Sequence, residues 1–274
     1  MTDVPRITCN DGVTIPQLGF GVFQIPPDDT APAVRTALDT GYRHIDTAQM
    51  YRNEQGVGQA IAESGVRRED VFVTTKLDND QHGYEAAMAA LDASLQRLGT
   101  DYVDLFLIHW PRAAADRYVE TWTAFEKLRA DGRARSIGVS NFTSAHLDRL
   151  AAETATVPAV NQVELHPQLQ QPQLREYHRS HGIATEAWSP IAQGGVLDDR
   201  TVRALADKYG KTPAQLVLRW HLQLGNIVFP KSVTPSRISE NFDVFDFELA
   251  ADDMAAIGAL DEGRRIGPDP DTLS

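Results

Sequence analysis

Short apolar runs alternate with longer amphipathic segments along most of the chain. The apolar runs have the length of buried strands, and the longer segments carry apolar residues at helical spacing. Eight strands are predicted, at residues 18–21, 44–48, 71–77, 103–110, 134–141, 160–165, 183–190 and 227–232. Helices are predicted at residues 30–39, 54–63, 84–97, 118–130, 144–152, 172–180, 199–209, 213–223, 236–241 and 250–260. Because helices of this length connect parallel strands, the pattern predicts an α/β fold, a closed (β/α)8 TIM barrel rather than an open doubly wound sheet.

Both ends of the chain add elements to this barrel. Residues 7–10 and 13–15 flank Asp11 and Gly12, a pair typical of two-residue turns, so an N-terminal β-hairpin is expected to cap the barrel. The helices predicted after the eighth strand are extra C-terminal helices. A chain of 274 residues has the usual length of one barrel, and no low-complexity linker divides it. We therefore expect one domain over residues 1–274.

Charge and cysteine content narrow the possible partners. The 26 basic and 38 acidic residues give a formal net charge of -12, which repels nucleic acid and acidic membranes, so neither is expected as a partner. The single cysteine, Cys9, cannot form an internal disulfide. The N-terminal residues lack the layout of a signal peptide, and no apolar run reaches about 18 residues. These features predict a cytoplasmic protein.

Polar side chains stand at the carboxyl ends of the predicted strands, whose interiors are apolar. In chain order they are Asp46, Lys76, His109, Ser140 with Asn141, Gln162 with Glu164 and His166, Trp188 with Ser189, and Lys231 with Ser232. The carboxyl ends of all strands meet at one mouth of a barrel, where barrel enzymes keep their active sites. The sequence therefore predicts an active site at this mouth.

Tyr51 follows the second strand within one turn and completes a possible proton donor. A free tyrosine is a poor acid, with a pKa of about 10. We expect Lys76 to lower the pKa of the phenol, Asp46 to hold the ammonium group, and His109 to hydrogen-bond a bound carbonyl oxygen. Such a set fits the protonation of a carbonyl oxygen while hydride adds to the carbon, a reaction that needs a nicotinamide.

Each of these residues taken alone has a plainer interpretation. Asp46 would suit a carboxylate that accepts backbone N–H groups in the next turn, and lysines such as Lys76 usually reach solvent. His109 alone would suit a core position. The three residues end successive strands, however, and Tyr51 lies just after the first of them. Their arrival at one mouth favours the proton donor.

Six segments resemble those of the aldo-keto reductase family, and the likeness extends over nearly the whole chain. They are residues 41–54, 73–77, 104–111, 136–142, 160–167 and 229–232. Residues 211–215 and 242–247 are similar to the bacterial 2,5-diketo-D-gluconic acid reductase subgroup. The resemblance implies a catalytic tetrad of Asp46, Tyr51, Lys76 and His109, with Tyr51 as general acid. It also implies NADPH-dependent reduction of aldehydes and ketones to alcohols, with hydride passing from nicotinamide C4 to the carbonyl carbon.

The resemblance implies cofactor contacts as well. Ser140, Asn141 and Gln162 would hydrogen-bond the nicotinamide carboxamide, and Trp188 would stack on the ring, although an ordinary core aromatic is the plainer interpretation of Trp188. A basic cluster between the last strand and a helix N-terminus would take the 2′-phosphate, unless it is merely a solvated turn; its residues are Lys231, Ser232, Thr234 and Arg237. Glu240 and Asn241 would lie near the adenine. Further contacts are implied for Val22, Ser189, Ile191, Gln193, Gly194, Phe229 and Val233.

The expected substrate pocket departs from the family pattern. Phe23, Asp78 and Trp110 are its predicted walls, and Asp78 stands where relatives often have a tryptophan. The connection at residues 190–199 is short, so it is expected to cover the cofactor less fully, and the tail at residues 263–274 has no aromatic residue. A more polar or more open pocket is expected. The resemblance implies a small carbonyl substrate, a dicarbonyl or a keto sugar acid.

Two rival functions stay open from the sequence. A Schiff-base lyase would need Lys76 or Lys231 free of a carboxylate partner. An NADPH-binding sensor or auxiliary subunit would keep the barrel with little turnover, as some family members attached to potassium channels do. We expect a monomer. No metal site is expected, because His178 and His181, three residues apart, lack a carboxylate partner and are interpreted as surface residues. The two Gly-x-Gly pairs lack the third glycine of a Rossmann fingerprint.

Overall fold

The eight predicted strands form one parallel sheet that closes into a barrel. The computed structural model describes residues 4–273, so the outermost residues of the predicted domain, 1–3 and 274, lie outside the described part. The strands are β1 (Arg6–Thr8), β2 (Thr14–Pro16), β3 (Phe20–Gly21), β4 (His44–Asp46), β5 (Phe72–Leu77), β6 (Val103–Ile108), β7 (Ala134–Ser140), β8 (Val160–Glu164), β9 (Ala184–Trp188) and β10 (Ile227–Val228). Strands β3 to β10 pair in chain order, and a parallel bridge between Leu18 and Val228 joins the two ends. The predicted (β/α)8 barrel is confirmed.

Helices connect the strands on the outside of the barrel. They are α1 (Pro27–Thr40), α2 (Glu54–Glu63), α3 (Tyr84–Leu98), α4 (Tyr118–Ala130), α5 (Ser144–Glu153), α6 (Pro172–Ser180), α7 (Arg200–Tyr209), α8 (Pro213–Gln223), α9 (Pro235–Phe242) and α10 (Ala251–Gly258). Helix α8 begins with a capping box in which Thr212 and Gln215 satisfy each other's backbone N–H groups. Helix α1 begins three residues earlier than predicted, because a proline at its first position already has a helical φ. In the described part, no helix combines the length and apolarity that crossing a bilayer requires.

The N-terminal hairpin closes the end of the barrel opposite the predicted mouth. Strands β1 and β2 are antiparallel, as predicted, but the turn has three residues rather than two. The amide of Cys9 donates to Val13 O at 2.9 Å, the amide of Gly12 donates to Cys9 O at 3.0 Å, and Gly12 has a φ of 85°. Cys9 and Ile15 are buried in an apolar cluster that fills this end of the barrel.

Alternate residues of each strand point into the barrel and form distinct layers. Next to the hairpin the interior is apolar, with Leu105, Leu107, Val160, Ile227 and Phe229 in one cluster. At Gly138 an added Cβ would lie 2.7 Å from the carbonyl oxygen of Val160, so only glycine fits this close approach of β7 and β8. Toward the carboxyl ends the interior becomes polar, which places charged groups where water is excluded.

The interpretation of His178 as a surface residue is wrong. The side chain of His178 is fully buried under α6, whereas His181 is exposed. The ring of His178 bonds Asn161 through Nε2 at 2.9 Å and Thr185 through Nδ1 at 2.9 Å. His178 therefore ties α6 to the outer face of β8 and β9, a structural role that leaves neither ring nitrogen available to a ligand.

Candidate active site

A buried lysine lies at the centre of the polar layer. Nζ of Lys76, on β5, donates to Oδ1 of Asp46 at 2.7 Å, to the backbone oxygen of Thr47 at 2.9 Å and to the hydroxyl of Tyr51 at 3.4 Å. Burial alone would lower the pKa of Lys76, but Asp46 and Tyr51 raise it above its usual range. Lys76 is therefore a cation with all three donors engaged, which argues against a neutral Schiff-base lysine at this position.

Tyr51 is held in a short 3-10 turn at Gln49–Tyr51, directly after β4. Burial raises the pKa of Tyr51 above its ordinary value, while Lys76 acts in the opposite direction. The phenol therefore keeps its proton at neutral pH. When Tyr51 donates that proton, the resulting phenolate faces the ammonium group of Lys76. The pair is therefore arranged for proton donation and not for a tyrosine that is ionised at rest.

His109 completes the predicted tetrad just beyond the end of β6. Its ring meets the ring of Tyr51 nearly at right angles, with centroids 5.8 Å apart. Burial and the charge of Lys76 lower the pKa of His109 to about 3, so the imidazole is neutral. Its Nδ1 is buried without a hydrogen-bond partner among residues 4–273. A neutral imidazole beside Tyr51 can donate one hydrogen bond to a substrate oxygen.

Loop residues that the sequence did not single out hold Tyr51 in place. Nδ2 of Asn53 donates to the backbone oxygen of Val22 at 2.9 Å, and Oδ1 of Asn53 accepts from Thr47 at 2.9 Å. Gln49 accepts from the backbone amide of Asp78 at 2.8 Å. These bonds join the loops after β3, β4 and β5 and so fix the turn that carries Tyr51.

The residues predicted to bind the carboxamide form one hydrogen-bonded set. Ser140 donates to the backbone oxygen of Gln162 at 2.8 Å, and Nδ2 of Asn141 donates to the backbone oxygen of His109 at 3.0 Å and to Oγ of Ser140 at 3.1 Å. The indole of Trp188, which is half-buried, donates to Oδ1 of Asn141 at 2.8 Å. The structure thus brings the four predicted residues together with the tetrad through His109.

Gln162 connects this set to a carboxyl group that sequence reasoning missed. Its Nε2 donates to Oδ2 of Asp46 at 2.9 Å and to Oε2 of Glu186 at 2.9 Å. Glu186, on β9, is fully buried, and burial raises its pKa to about 8, with the charge of Asp46 adding to the rise. The available signal was its place two residues before Trp188, which puts both side chains on the inner face of the strand.

The ionisation of Glu186 gives a pH-dependent stability that can be measured. An unfolded glutamate has a pKa of about 4.3, so the folded protein binds this proton more tightly, and the resulting stability is present at low pH and lost as the pH rises toward 8. Glu186 faces Asp46, Lys76 and Cys9, and Glu186→Gln removes only its own titration. Relative to Glu186→Gln, the natural protein should lose a few kcal/mol between about pH 5 and about pH 8 in urea unfolding. A difference that stays constant with pH would contradict a neutral buried Glu186.

The basic cluster predicted for the phosphate covers the loop before α9 and the first turn of this helix, which carries Arg237. Lys231 and Arg237 are exposed, and neither forms an ion pair with another residue of the described range. Oγ of Ser232 accepts from the backbone amide of Thr234 at 3.1 Å. Val233 is exposed and Asn241 buried beside them, whereas Glu240 accepts from the hydroxyl of Thr212 at 2.8 Å. Two cations without an ion-pair partner in the described range thus stand at a helix N-terminus, the arrangement that suits an anion.

The predicted substrate side of the mouth combines an exposed ring with a polar edge. Phe23 is 47% exposed, and its ring lies 5.0 Å from that of Tyr51. Trp110 is buried, and Asp78 is half-buried. The nearby connection after β9 folds into a 3-10 turn at Ala192–Gly194, in which Gln193 is exposed and Ile191 half-buried. An exposed aromatic ring thus lies beside Tyr51, and the carboxyl group of Asp78 is half-buried.

The C-terminal tail lies directly on Trp188. Glu164, fully buried at the end of β8, accepts from the backbone amides of Ile266 at 2.6 Å and Gly267 at 2.9 Å and from the His166 ring at 3.1 Å. An added Cβ at Gly267 would clash with the outer edge of the Trp188 indole. The tail is therefore fixed against one of the residues predicted to contact the cofactor.

Gly267→Ala should disturb this contact without backbone strain. The new methyl group must push either the tail or the Trp188 ring, and we expect a change of roughly fivefold or more in KM for a carbonyl substrate. Gly258→Ala is the matched control, because a Cβ at Gly258 meets nothing within 4 Å. Steady-state kinetics of both variants check this, and equal behaviour of the two would mean that the contact has no effect on the site.

A barrel whose mouth holds a buried Lys–Asp pair against a tyrosine hydroxyl is arranged for acid–base chemistry on a small molecule, and comparisons identify its family. A model of the aldo/keto reductase family matches residues 17–262. An aldo-keto reductase of Mycolicibacterium smegmatis is 59% identical over 270 residues, 98% of each chain. The methylglyoxal reductase DkgA of Escherichia coli K12 is 53% identical over 273 residues, 99% of this chain and 98% of that protein.

Solved structures give the same result. A variant of Gox0644 in complex with NADPH superposes with a TM-score of 0.96 at 48% identity and covers 100% of both chains. An aldo-keto reductase of Bombyx mori in complex with NADP has a TM-score of 0.91 at 40% identity, covering 99% of this chain and 97% of that one. The chain therefore belongs to the aldo/keto reductase family. The predicted family, the predicted similarity to bacterial members of that family and the oxidoreductase class are confirmed.

Proposed function

We propose that this protein reduces aldehydes and ketones to alcohols with NADPH, and that Tyr51 is the general acid. NADPH supplies, when bound, the hydride that passes from its C4 to the carbonyl carbon. The hydroxyl of Tyr51 donates its proton to the carbonyl oxygen, and Lys76 stabilises the phenolate that remains. Asp46 holds Lys76 in place, and the neutral ring of His109 donates a hydrogen bond to the same oxygen. The contact between Nζ of Lys76 and Tyr51 carries this assignment.

The chain's own residues fit NADPH. Oε1 of Gln162 has no hydrogen-bond partner among the described residues and can accept from the carboxamide, while Trp188 offers a half-buried aromatic face. Lys231 and Arg237, which form no ion pair within residues 4–273, match the charge of a 2′-phosphate. NADPH and NADP are the ligands of the two structural relatives described above, and we extend this cofactor to the present chain. All these groups come from one chain, so a monomer suffices.

A small dicarbonyl is the substrate class that we propose. The relative from Escherichia coli is named a methylglyoxal reductase, and the present chain is similar to it over almost its full length. The exposed ring of Phe23 and the half-buried side chain of Asp78 are both accessible to a small polar compound. A keto sugar acid is the alternative substrate.

The test is loss of NADPH absorbance with methylglyoxal, an aromatic aldehyde, a simple ketone and a diketo sugar acid, with NADH run in parallel. Fast oxidation with the dicarbonyls and slow oxidation with the simple ketone is the expected result. Tight NADPH binding without oxidation of any compound would overturn the reductase and favour a cofactor-binding sensor. A covalent adduct after borohydride treatment with the carbonyl alone would favour the lyase.

Arg237→Ala should weaken NADPH much more than NADH. The substitution removes the charge-assisted hydrogen bonds that an arginine forms with a phosphate. We therefore expect the Kd for NADPH to rise roughly tenfold to hundredfold. The Kd for NADH, which has no 2′-phosphate, should change little. Arg179→Ala, on the exposed side of α6, is the control for net charge. If the affinities for NADPH and NADH fall equally, Arg237 does not bind the 2′-phosphate.

A further inference from the structure

Glu186 is a carboxyl group that the reaction proposed above does not use. In the parallel register it lies between Gln162 of β8 and Ile227 of β10, on the inner face of β9. Its Oε2 accepts one hydrogen bond, from Gln162, and its Oε1 is buried without a partner among residues 4–273. Burying an incompletely bonded carboxyl group costs free energy that an apolar residue of the same size would avoid. Its position therefore calls for a role.

The two carboxyl groups that flank Gln162 define the orientation of its amide. The ionised Asp46, paired with Lys76, accepts one hydrogen of Nε2, and Glu186 accepts the other. An amide oxygen in that place would face the carboxylate of Asp46, so the NH2 group points toward the two carboxyl groups. With both hydrogens engaged, Oε1 of Gln162 is held on the other side as an acceptor that no described residue uses.

We propose that Glu186 is a positioning residue of the cofactor site, which acts through Gln162 to aim that amide oxygen at the carboxamide of the nicotinamide. This inference rests on the proposed function, because it assumes that NADPH binds beside Gln162. Asp46 alone would leave the Gln162 amide free to pivot about a single hydrogen bond. The second bond, to Glu186, removes that freedom before the cofactor arrives, and preorganised acceptors bind more tightly than mobile ones.

The raised pKa of Glu186 is consistent with this role. A protonated Glu186 accepts through its carbonyl oxygen and adds no second negative charge beside Asp46. Gln162 therefore receives its second acceptor without a second negative charge beside the Lys76–Asp46 ion pair. Glutamine at position 186 would also present an oxygen to Nε2, whereas leucine, of similar size, would present none.

The experiment compares Glu186→Gln and Glu186→Leu in two binding titrations. Kd values are measured for NADPH and for adenosine 2′,5′-bisphosphate, which carries the phosphates but no nicotinamide. Glu186→Leu should weaken NADPH roughly tenfold, the value of one hydrogen bond, and leave the bisphosphate unchanged. Glu186→Gln should restore most of the NADPH affinity. If the leucine variant does not fold, Glu186→Ala takes its place.

A double-mutant cycle tests whether the effect passes through Gln162. In a Gln162→Leu background, Glu186→Leu should weaken NADPH less than twofold further, because the amide to be positioned is gone. The inference is overturned if Glu186→Leu leaves the Kd for NADPH unchanged, or if it weakens NADPH and the bisphosphate equally. These outcomes are distinct from a failure of the proposed function, in which the natural protein itself would not bind NADPH.

Discussion

Tyr51→Phe should lower turnover about 10²- to 10⁴-fold while NADPH still binds with nearly its original affinity. The substitution removes the one hydroxyl that Lys76 contacts and leaves the ring that packs beside Phe23 and His109. Without that proton, the oxygen of the product must develop its negative charge against His109 alone. Single-turnover absorbance with saturating NADPH measures the chemical step directly.

Two controls make the Tyr51 result specific. Tyr177, on α6, donates its hydroxyl to Asp148 of α5, away from the barrel mouth. The variant Tyr177→Phe removes this hydroxyl and should keep normal turnover. The pH profile is the second control, because the natural enzyme should lose activity at high pH as the buried phenol ionises, and the variant should lack that limb. Undiminished turnover in Tyr51→Phe would remove this residue from the role of general acid.

Hydrophobic patterning predicted the elements of the fold better than their ends. The eight predicted strands and ten predicted helices all occur, because each apolar run or helical stripe corresponds to a surface that is buried in the barrel. Strand β10 stops at Val228, four residues before its predicted end, since Pro230 has no N–H to continue the ladder. The hairpin turn was predicted one residue too short, because pairing of Cys9 with Val13 sets its register and the Asp11–Gly12 pair does not. Tertiary pairing, which local sequence does not contain, decides such boundaries.

The candidate site was predictable where a rule of topology applied. Carboxyl ends of parallel strands meet at one mouth, so Asp46, Lys76 and His109 could be placed together from the sequence. Glu186 was missed because it lies two residues before the end of its strand at Trp188, although it is in register with Gln162. Lys76 acts on the pKa of Tyr51 in the expected direction, but burial, which the sequence did not show, outweighs it. How deeply a side chain is buried depends on how the barrel closes, and the neighbouring residues in the sequence do not show it.

Lys76→Met should show how far catalysis and stability depend on the same buried charge. Removing the ammonium leaves Asp46 buried with Gln162 as its remaining side-chain donor among residues 4–273. Leaving one member of a buried ion pair without its partner costs roughly 3–5 kcal/mol. Turnover should fall roughly 10²- to 10³-fold, because the phenolate of Tyr51 loses its stabilising cation. Urea unfolding and steady-state kinetics measure the two losses separately.

The double variant Asp46→Asn with Lys76→Met separates these effects. Asparagine keeps an oxygen to accept from Gln162 but carries no charge, so most of the lost free energy of unfolding should return. Turnover should not return, because no cation faces Tyr51 in either variant. If the double variant regains activity together with stability, then Lys76 serves the fold and some other group stabilises the phenolate. If Lys76→Met is as stable as the natural protein, Asp46 has taken up a proton at little cost, and the ion pair contributes to catalysis alone.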